Sequence, residues 1–353
     1  MENVISPDPH AGAVANSGRP ALADYYAVAG RFVCVETGEP EAAELFRRFF
    51  GGWHFVRLEA MEAPAPDATI QVRQGAPPPP PTGLDSFETA GGGFCHTDGR
   101  TYIFERDGSA VRAVGGHRGV EVWIGSGPAS HERSALARLV FESTMVALRR
   151  CGLFELHAAG VVEPESGGGF LVAGPSGSGK STLATQLASA GWRYLSDDAL
   201  LLRGSAEVVE ACALRREFAV TEQTVAAGVL EGFEDLLHDP MPFDPLKRRF
   251  KPHTIFPEGF SESCVPRALL FPVITNEPSS RARRLTQAET MRGLLRMCPW
   301  ACYDRPAAAT HLGLLARLSR QAAGFELHAG RDLFGDAEYS SNYLRGLVGR
   351  GSV

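Results

Sequence analysis

The residues with the most chemistry in their spacing run from Phe170 to Thr182. An apolar stretch of strand character enters a glycine-rich loop, and beyond Ser181 the apolar residues Leu183, Ala184, Leu187 and Ala188 keep helical spacing. Glycines let successive backbone N–H groups converge on an anion, and the following helix turns its positive end to the same point. This is the phosphate-loop pattern, with Gly174, Pro175, Ser176, Gly177, Ser178, Gly179, Lys180, Ser181 and Thr182 as nucleotide-binding residues. Lys180 would supply a mobile positive charge to the β- and γ-phosphates of ATP, and the Ser181 hydroxyl a hard oxygen for Mg²⁺. A flexible glycine turn is the plain alternative, but it needs no lysine followed by two hydroxyls.

One strand further on come Asp197 and Asp198, set in an apolar run. Alone they would read as a turn with solvated acids. Downstream of a phosphate loop they suit phosphoryl transfer, which needs a group to orient or deprotonate the incoming hydroxyl and carboxylates to hold Mg²⁺. Neighbouring strand residues point to opposite faces, so one Asp is expected to face the reacting phosphate and the other to support metal or loop.

His157, the loop from Gly174 to Thr182, and Tyr194-Leu-Ser-Asp-Asp198 together resemble the catalytic domain of HPr kinase/phosphorylase. They are more similar still to kinase homologues found with peptide-modification machinery, including kinases of lasso peptides. The resemblance covers residues 152 to 203. It implies that Asp198 is the general base for a serine hydroxyl, that Lys180 and Ser181 contact phosphate and Mg²⁺, and that His157 is an active-site histidine. It also implies a metal-binding glutamate further on, for which Glu217 is the candidate, with a surface ion-pair residue as the alternative. Asp197 joins Ser181 and Glu217 as a metal ligand in this reading. The family's second glycine-rich signature is missing, so the resemblance does not extend to phosphorylase activity or to HPr as substrate.

The elements that must position these groups can be read coarsely. Residues 1–21 are rich in Pro, Gly, Ser and Ala without periodicity and are expected to be a disordered tail. Residues 22–150 are expected to form a smaller α/β domain: a strand from Tyr25 to Val35, a helix from Pro40 to Phe50, a strand from Trp53 to Leu58, an antiparallel meander from Phe87 to Ile124, and a helix from Ala135 to Cys151. The domain has no visible catalytic constellation, which makes it a recognition or assembly platform. Residues 151–353 are the expected P-loop catalytic domain of α/β class. There a strand from Leu153 to Val162 and the strand Gly169 to Ala173 make an antiparallel hairpin feeding the loop. Later elements are a strand from Ala268 to Thr275, helices over Ala288–Met297 and Ala308–Leu318, a strand at Phe325–His328 and a final helix from Asp336 to Val348.

Other features have bland readings beside functional ones. The run Pro77–Pro81 is a stiff spacer or a ligand for a proline-recognising module. The basic stretch Lys247–Lys251 is a solvated face or a holder of phosphates or acidic peptide. His311 and His328 have no partner by spacing and read as structural. The seven cysteines are scattered, and Cys298 and Cys302 lack a second pair at metal-binding spacing, so reduced thiols are expected.

The whole chain has 353 residues, 44% hydrophobic and 22% charged, with a formal charge of -6. That balance argues against a nucleic-acid partner, which would reward a basic face. No apolar stretch approaches the roughly 18 residues of a membrane span, and Met1 to Ala21 has no signal-peptide core, so no membrane partner and a cytoplasmic location are expected. The leading expectation is an ATP- and Mg²⁺-dependent serine kinase acting on a peptide or small protein, with room for a homo-oligomer. An ATPase or nucleotide-gated binding module without transfer, and a kinase of free serine, are its rivals.

Overall fold

The computed structural model describes residues 22–349 except 61, 90, 91, 116, 206, 227 and 239–245. The expected tail at 1–21 lies outside the described residues.

The chain opens with β1 (Leu22–Val28) and β2 (Arg31–Thr37), an antiparallel pair joined at Ala29 and Gly30, both at positive φ. The single strand expected from Tyr25 to Val35 is therefore two. Its alternation continues through a two-residue turn that lacks the usual Asn or Asp signal. Helix α1 (Pro40–Gly51) buries Ala42, Phe46 and Phe50 on one face. There follow β3 (Val56–Leu58), shorter than the strand expected from Trp53, β4 (Ala68–Gln74), and β5 (Asp85–Glu88), β6 (Phe94–Thr97), β7 (Thr101–Arg106), β8 (Ser109–Val114) and β9 (Gly119–Ile124). The last five form an antiparallel meander, and the sheet order is β3-β1-β2-β4-β9-β8-β7-β6-β5. Helix α2 (Arg133–Arg150) lies across β4, β8 and β9.

Next, β10 (Leu153–Leu156) and β11 (Ala158–Val162) are separated by a bend at His157. The expected continuous strand is broken there because its halves join different neighbours: β10 pairs with β14, whereas β11 pairs with β12 and β13. The succession continues with β12 (Gly168–Ala173), α3 (Lys180–Ser189), β13 (Arg193–Ser196), β14 (Leu200–Gly204), β15 (Val209–Ala213) and β16 (Phe218–Thr221). A short helix α4 (Glu222–Ala226), β17 (Lys247–Phe250), a helical turn α5 (Pro252–Ile255), and the long β18 (Ser263–Ile274) come next. The chain closes with β19 (Arg281–Arg284), α6 (Gln287–Arg296), α7 (Trp300–Tyr303), α8 (Arg305–Gln321), β20 (Ala323–Ala329) and α9 (Ala337–Gly349).

The second sheet runs β10-β14-β15-β18-β12-β11-β13, with β20 paired to β18 and β19 to β20. Strand β12 is flanked by parallel β18 and antiparallel β11, and β11 is also antiparallel to β13. Strands β12 and β13 therefore run the same way, one strand apart. Three segments consequently emerge at one sheet edge: the loop after β12, the residues after β13, and His157 just before β11. Topology alone brings the glycine-rich loop and the Asp pair to within about two strand spacings, roughly 10 Å. Helix α3 is held by α9 through Gln186 Nε2 to Ser340 Oγ, and Trp192, just beyond α3, donates its Nε1–H to Ser341 Oγ on the same helix.

The apolar cluster under the first sheet continues past residue 150, taking in Leu153, Leu201, Cys212 and Leu214. A buried ionic clasp lies beside it. Arg149 and Arg150 at the end of α2 grip Asp304, and Arg149 also grips Glu155 on β10, all at 2.9 Å. All seven cysteines are free thiols.

His311 on α8 is buried, its ring stacked 4.7 Å from that of Phe154, and neither nitrogen has a hydrogen-bond partner among the described residues. Burial, reinforced by the charge of Arg149, pushes its pKa down to about 3. The unfolded chain takes up this proton below about pH 6.5, which the fold resists until about 3. Stability must fall as pH drops through that window. The decline should be shallower in His311→Phe, by up to about 1.4 kcal/mol per pH unit, in urea unfolding at pH 7 and pH 5. Equal slopes would mean that His311 accepts its proton in the fold.

Candidate active site

The loop from Gly174 to Gly179 leaves β12 and enters α3 with Gly177 at φ 81° and Gly179 at φ 87°. Gly179 occupies the N-cap, and no side chain caps the helix, so its first N–H groups face the loop. A side chain at Gly179 would bring Cβ to 2.8 Å from Ile274 Cδ1 and 3.2 Å from Phe334 Cζ. Backbone strain adds about 1–2 kcal/mol. Gly179→Ala is therefore expected to destabilise the fold by about 1–2 kcal/mol or more, measured by urea unfolding. An unchanged midpoint would show that the loop does not need this curl.

Lys180 is buried and folded back on the loop. Its Nζ donates to the carbonyls of Gly174 (2.8 Å) and Pro175 (3.0 Å) and lies 3.1 Å from His157 Nε2. Burial holds its pKa below the usual lysine value, against the pull of Asp198 and Asp197. Its bonds to carbonyl oxygens are ones that a more negative acceptor would displace.

The strand expected to carry both aspartates ends at Ser196, so their separation does not come from pleat alternation. Asp198 instead adopts the left-handed conformation at φ 62°, which sends the pair different ways. Asp197 turns inward and is fully buried. Its Oδ1 accepts from Ser181 Oγ at 2.8 Å and its Oδ2 from Ala219 N at 3.0 Å. Burial raises its pKa, with the Ala219 N–H acting the other way and the Asp198 charge adding to the rise. Asp198 turns to the cleft, its Oδ1 3.5 Å from His157 Nδ1 and its Oδ2 3.9 Å from Arg215 Nη2. Burial opposes its ionisation, but His157, Arg215, Lys180 and Lys247 outweigh that and hold the carboxyl below the usual range.

Burial lowers the pKa of His157, opposed by Asp198 and helped by Lys180. A neutral ring accepting from Lys180 at Nε2 carries its proton on Nδ1, facing Asp198. Arg215 is positioned by the buried Ser196 hydroxyl, which accepts from the backbone N–H of Leu214 and Arg215. The guanidinium also stands 5.3 Å over the Trp53 ring. Sequence gave no sign of which arginine in Leu214-Arg-Arg-Glu217 would face Asp198.

Strand β17 pairs with β16 and carries Lys247 to the loop, 3.4 Å from Ser176 Oγ. Thr182 shares a 2.8 Å hydrogen bond with Thr224. The carboxylate of Glu217, read as a metal ligand, lies 3.7 Å from Arg249 Nη1, and no described hydrogen bond joins it to Ser181 or Asp197. No group of three His, Cys, Asp or Glu side chains among the described residues could hold a metal ion. The adjoining Ser181 hydroxyl and Asp197 carboxylate are nonetheless hard oxygen donors of the kind that fit Mg²⁺, which takes few protein ligands beside water and phosphate oxygens.

Two cavities meet at Asp198. One, of about 410 Å³, is lined by the loop residues Gly177, Lys180 and Ser181 with Thr224 and Lys247. The other, of about 390 Å³, lies between α2, His157, Arg215 and the segment from Arg296 to Trp300.

The chain is thus an α/β protein with a glycine-rich loop between β12 and α3 and the Asp198 carboxylate in the adjoining cleft. No family model matches the chain, and no curated protein matches it. Among solved structures, the HPr(Ser) kinase/phosphatase from Coxiella burnetii is similar at 10% identity over 56% of this chain and 99% of that one, with a TM-score of 0.29. At that score the overlap says nothing of this chain's chemistry, which its own residues must carry. No helix among the described residues is long and apolar enough to cross a membrane.

Proposed function

We infer that the protein is an ATP-dependent phosphotransferase that moves the γ-phosphoryl group to a hydroxyl, with a serine of a peptide or small protein as acceptor. The supporting observation is that Asp198 is shared by the phosphate-loop cavity and a second cavity large enough for an acceptor.

The backbone N–H groups at the start of α3 and the Lys180 ammonium receive the phosphates, Lys180 exchanging its carbonyl partners for phosphate oxygens. Ser181 and Asp197 would hold Mg²⁺, which supplies charge neutralisation along the phosphates. In the transfer, the acceptor oxygen bonds to the γ-phosphorus and the bridging bond to the β-phosphate breaks, its electron pair leaving with ADP. The hydroxyl proton passes to Asp198. A carboxylate held at low pKa is a weak base, but a loose transition state asks for alignment more than for basicity. Phosphates brought beside Asp198 also raise its proton affinity by like-charge repulsion. The Nδ1–H of His157 steadies the carboxylate from the other side.

The test is purified protein with Mg²⁺ and γ-labelled ATP, with and without candidate serine-containing acceptors. Label on the acceptor is the expected result. Phosphate release at the same rate with or without acceptor would replace the transferase reading with an ATPase.

A further inference from the structure

Resting on that transferase reading, we propose that the cavity across Asp198 from the loop is an acceptor pocket selecting a hydroxyl compound that carries both an apolar group and a carboxylate. At about 390 Å³ it is near the lower end of ordinary ligand pockets, which span roughly 300–1,000 Å³. That size suits one or two residues rather than a folded surface. Its walls are Phe141 and Met145 from α2, Leu156 from β10, Met297 and Pro299 between α6 and α7, and Trp300 at the start of α7. Trp300 is fixed by its indole N–H donating to the Glu155 carbonyl at 3.3 Å.

The charged groups in this apolar shell are unbalanced. Glu155 is committed to Arg149 within the buried clasp, and Asp198 serves the reaction. Arg215, which faces Asp198, is held less tightly. Its Nε is buried without a hydrogen-bond partner among the described residues, and its nearest carboxylate contact, at 3.9 Å, is beyond hydrogen-bond range. Arg296, exposed at the end of α6, makes no ion pair with a described carboxylate. Arg215 lines this cavity and not the phosphate-loop one. Two guanidinium groups with donors to spare, beside an apolar wall, complement a planar carboxylate. The N-terminal region then has a stated role, because α2 supplies one side of the pocket.

The carboxylate can belong to a peptide or to a free hydroxy amino acid, and the experiment separates the two. The full chain with Mg²⁺ and γ-labelled ATP is offered an acetylated tetrapeptide amide of leucine, serine, phenylalanine and glutamate against its glutamine twin, and free L-serine against L-serinamide. The carboxylate-bearing member of at least one pair should be favoured about tenfold or more in kcat/KM, through KM. Arg296→Ala should erase that preference while leaving the KM for ATP unchanged. The pair showing the preference identifies the source. Equal use within both pairs, or a preference that survives in Arg296→Ala, overturns the proposal. If no acceptor is labelled, calorimetry with the same four compounds and a non-hydrolysable ATP analogue decides. Tenfold tighter binding of a carboxylate-bearing member, lost in Arg296→Ala, keeps the pocket and removes the transferase reading. Equal or absent binding removes the pocket.

Discussion

Asp198→Asn is expected to lower phosphoryl transfer by about 10²- to 10⁴-fold, the usual contribution of a positioned acid–base group, while ATP binding changes little. The asparagine keeps the shape and tolerates the left-handed backbone at φ 62°. What it loses is the charge that faces His157 and Arg215 and the lone pair that, in the proposed mechanism, would take the acceptor's proton. Nucleotide affinity should be spared, because in the proposed mechanism the loop amides and Lys180 receive the phosphates and the carboxylate would repel them. Single-turnover transfer and equilibrium ATP binding, measured on one preparation, separate the two effects. A variant that retains transfer within a few-fold would remove Asp198 from the chemistry.

The second large effect is on stability. Arg149→Met should destabilise the fold by about 3–5 kcal/mol, because removing one member of a buried ionic group leaves the others uncompensated. Asp304 and Glu155 have side-chain exposures of 1% and 4% and cannot turn to water. The exposed triad of Arg283 with Glu289 and Glu326 is the contrast. Arg283→Ala should cost far less, because solvent screens an exposed pair. Urea unfolding of both variants gives the comparison, and similar losses would mean that the clasp is solvated or redundant. The clasp also ties α2 to β10, two walls of the pocket beside Asp198, so a loosened Arg149 variant should bind acceptors less well before it unfolds.

Much of the local structure was legible because short-range rules govern it. The helix over Pro40–Gly51 follows from its apolar stripe, and the meander from its alternating strands and turn glycines. The glycine-rich loop between β12 and α3 likewise follows from local residue types. Breaks inside good periodicity were not legible. The turn at Ala29 and Gly30 falls inside an alternating run in which a lone Gly could equally mark a bulge, and the bend at His157 is placed only by pairing partners far along the chain. The divergence of Asp197 and Asp198 comes from one left-handed residue, not from the pleat assumed for it. Arg215 and the α2 residues Phe141 and Met145 stand at the site through tertiary packing, which leaves no trace in spacing. Glu217, chosen by resemblance with an ion-pair residue as the alternative, has its carboxylate 3.7 Å from Arg249, a neighbour that spacing did not announce.

If this chain is a phosphotransferase, a nucleotide's γ-phosphate and the Asp198 carboxylate must share one cavity edge. The most direct measurement is a crystal structure of the full chain with Mg²⁺ and a non-hydrolysable ATP analogue. The expected result has the triphosphate on the backbone amides between Ser176 and Thr182, Lys180 released from the Gly174 and Pro175 carbonyls, and Asp198 facing the γ-phosphorus. A nucleotide bound elsewhere, or bound on the loop with Asp198 turned away and walled off from it, would contradict the assignment.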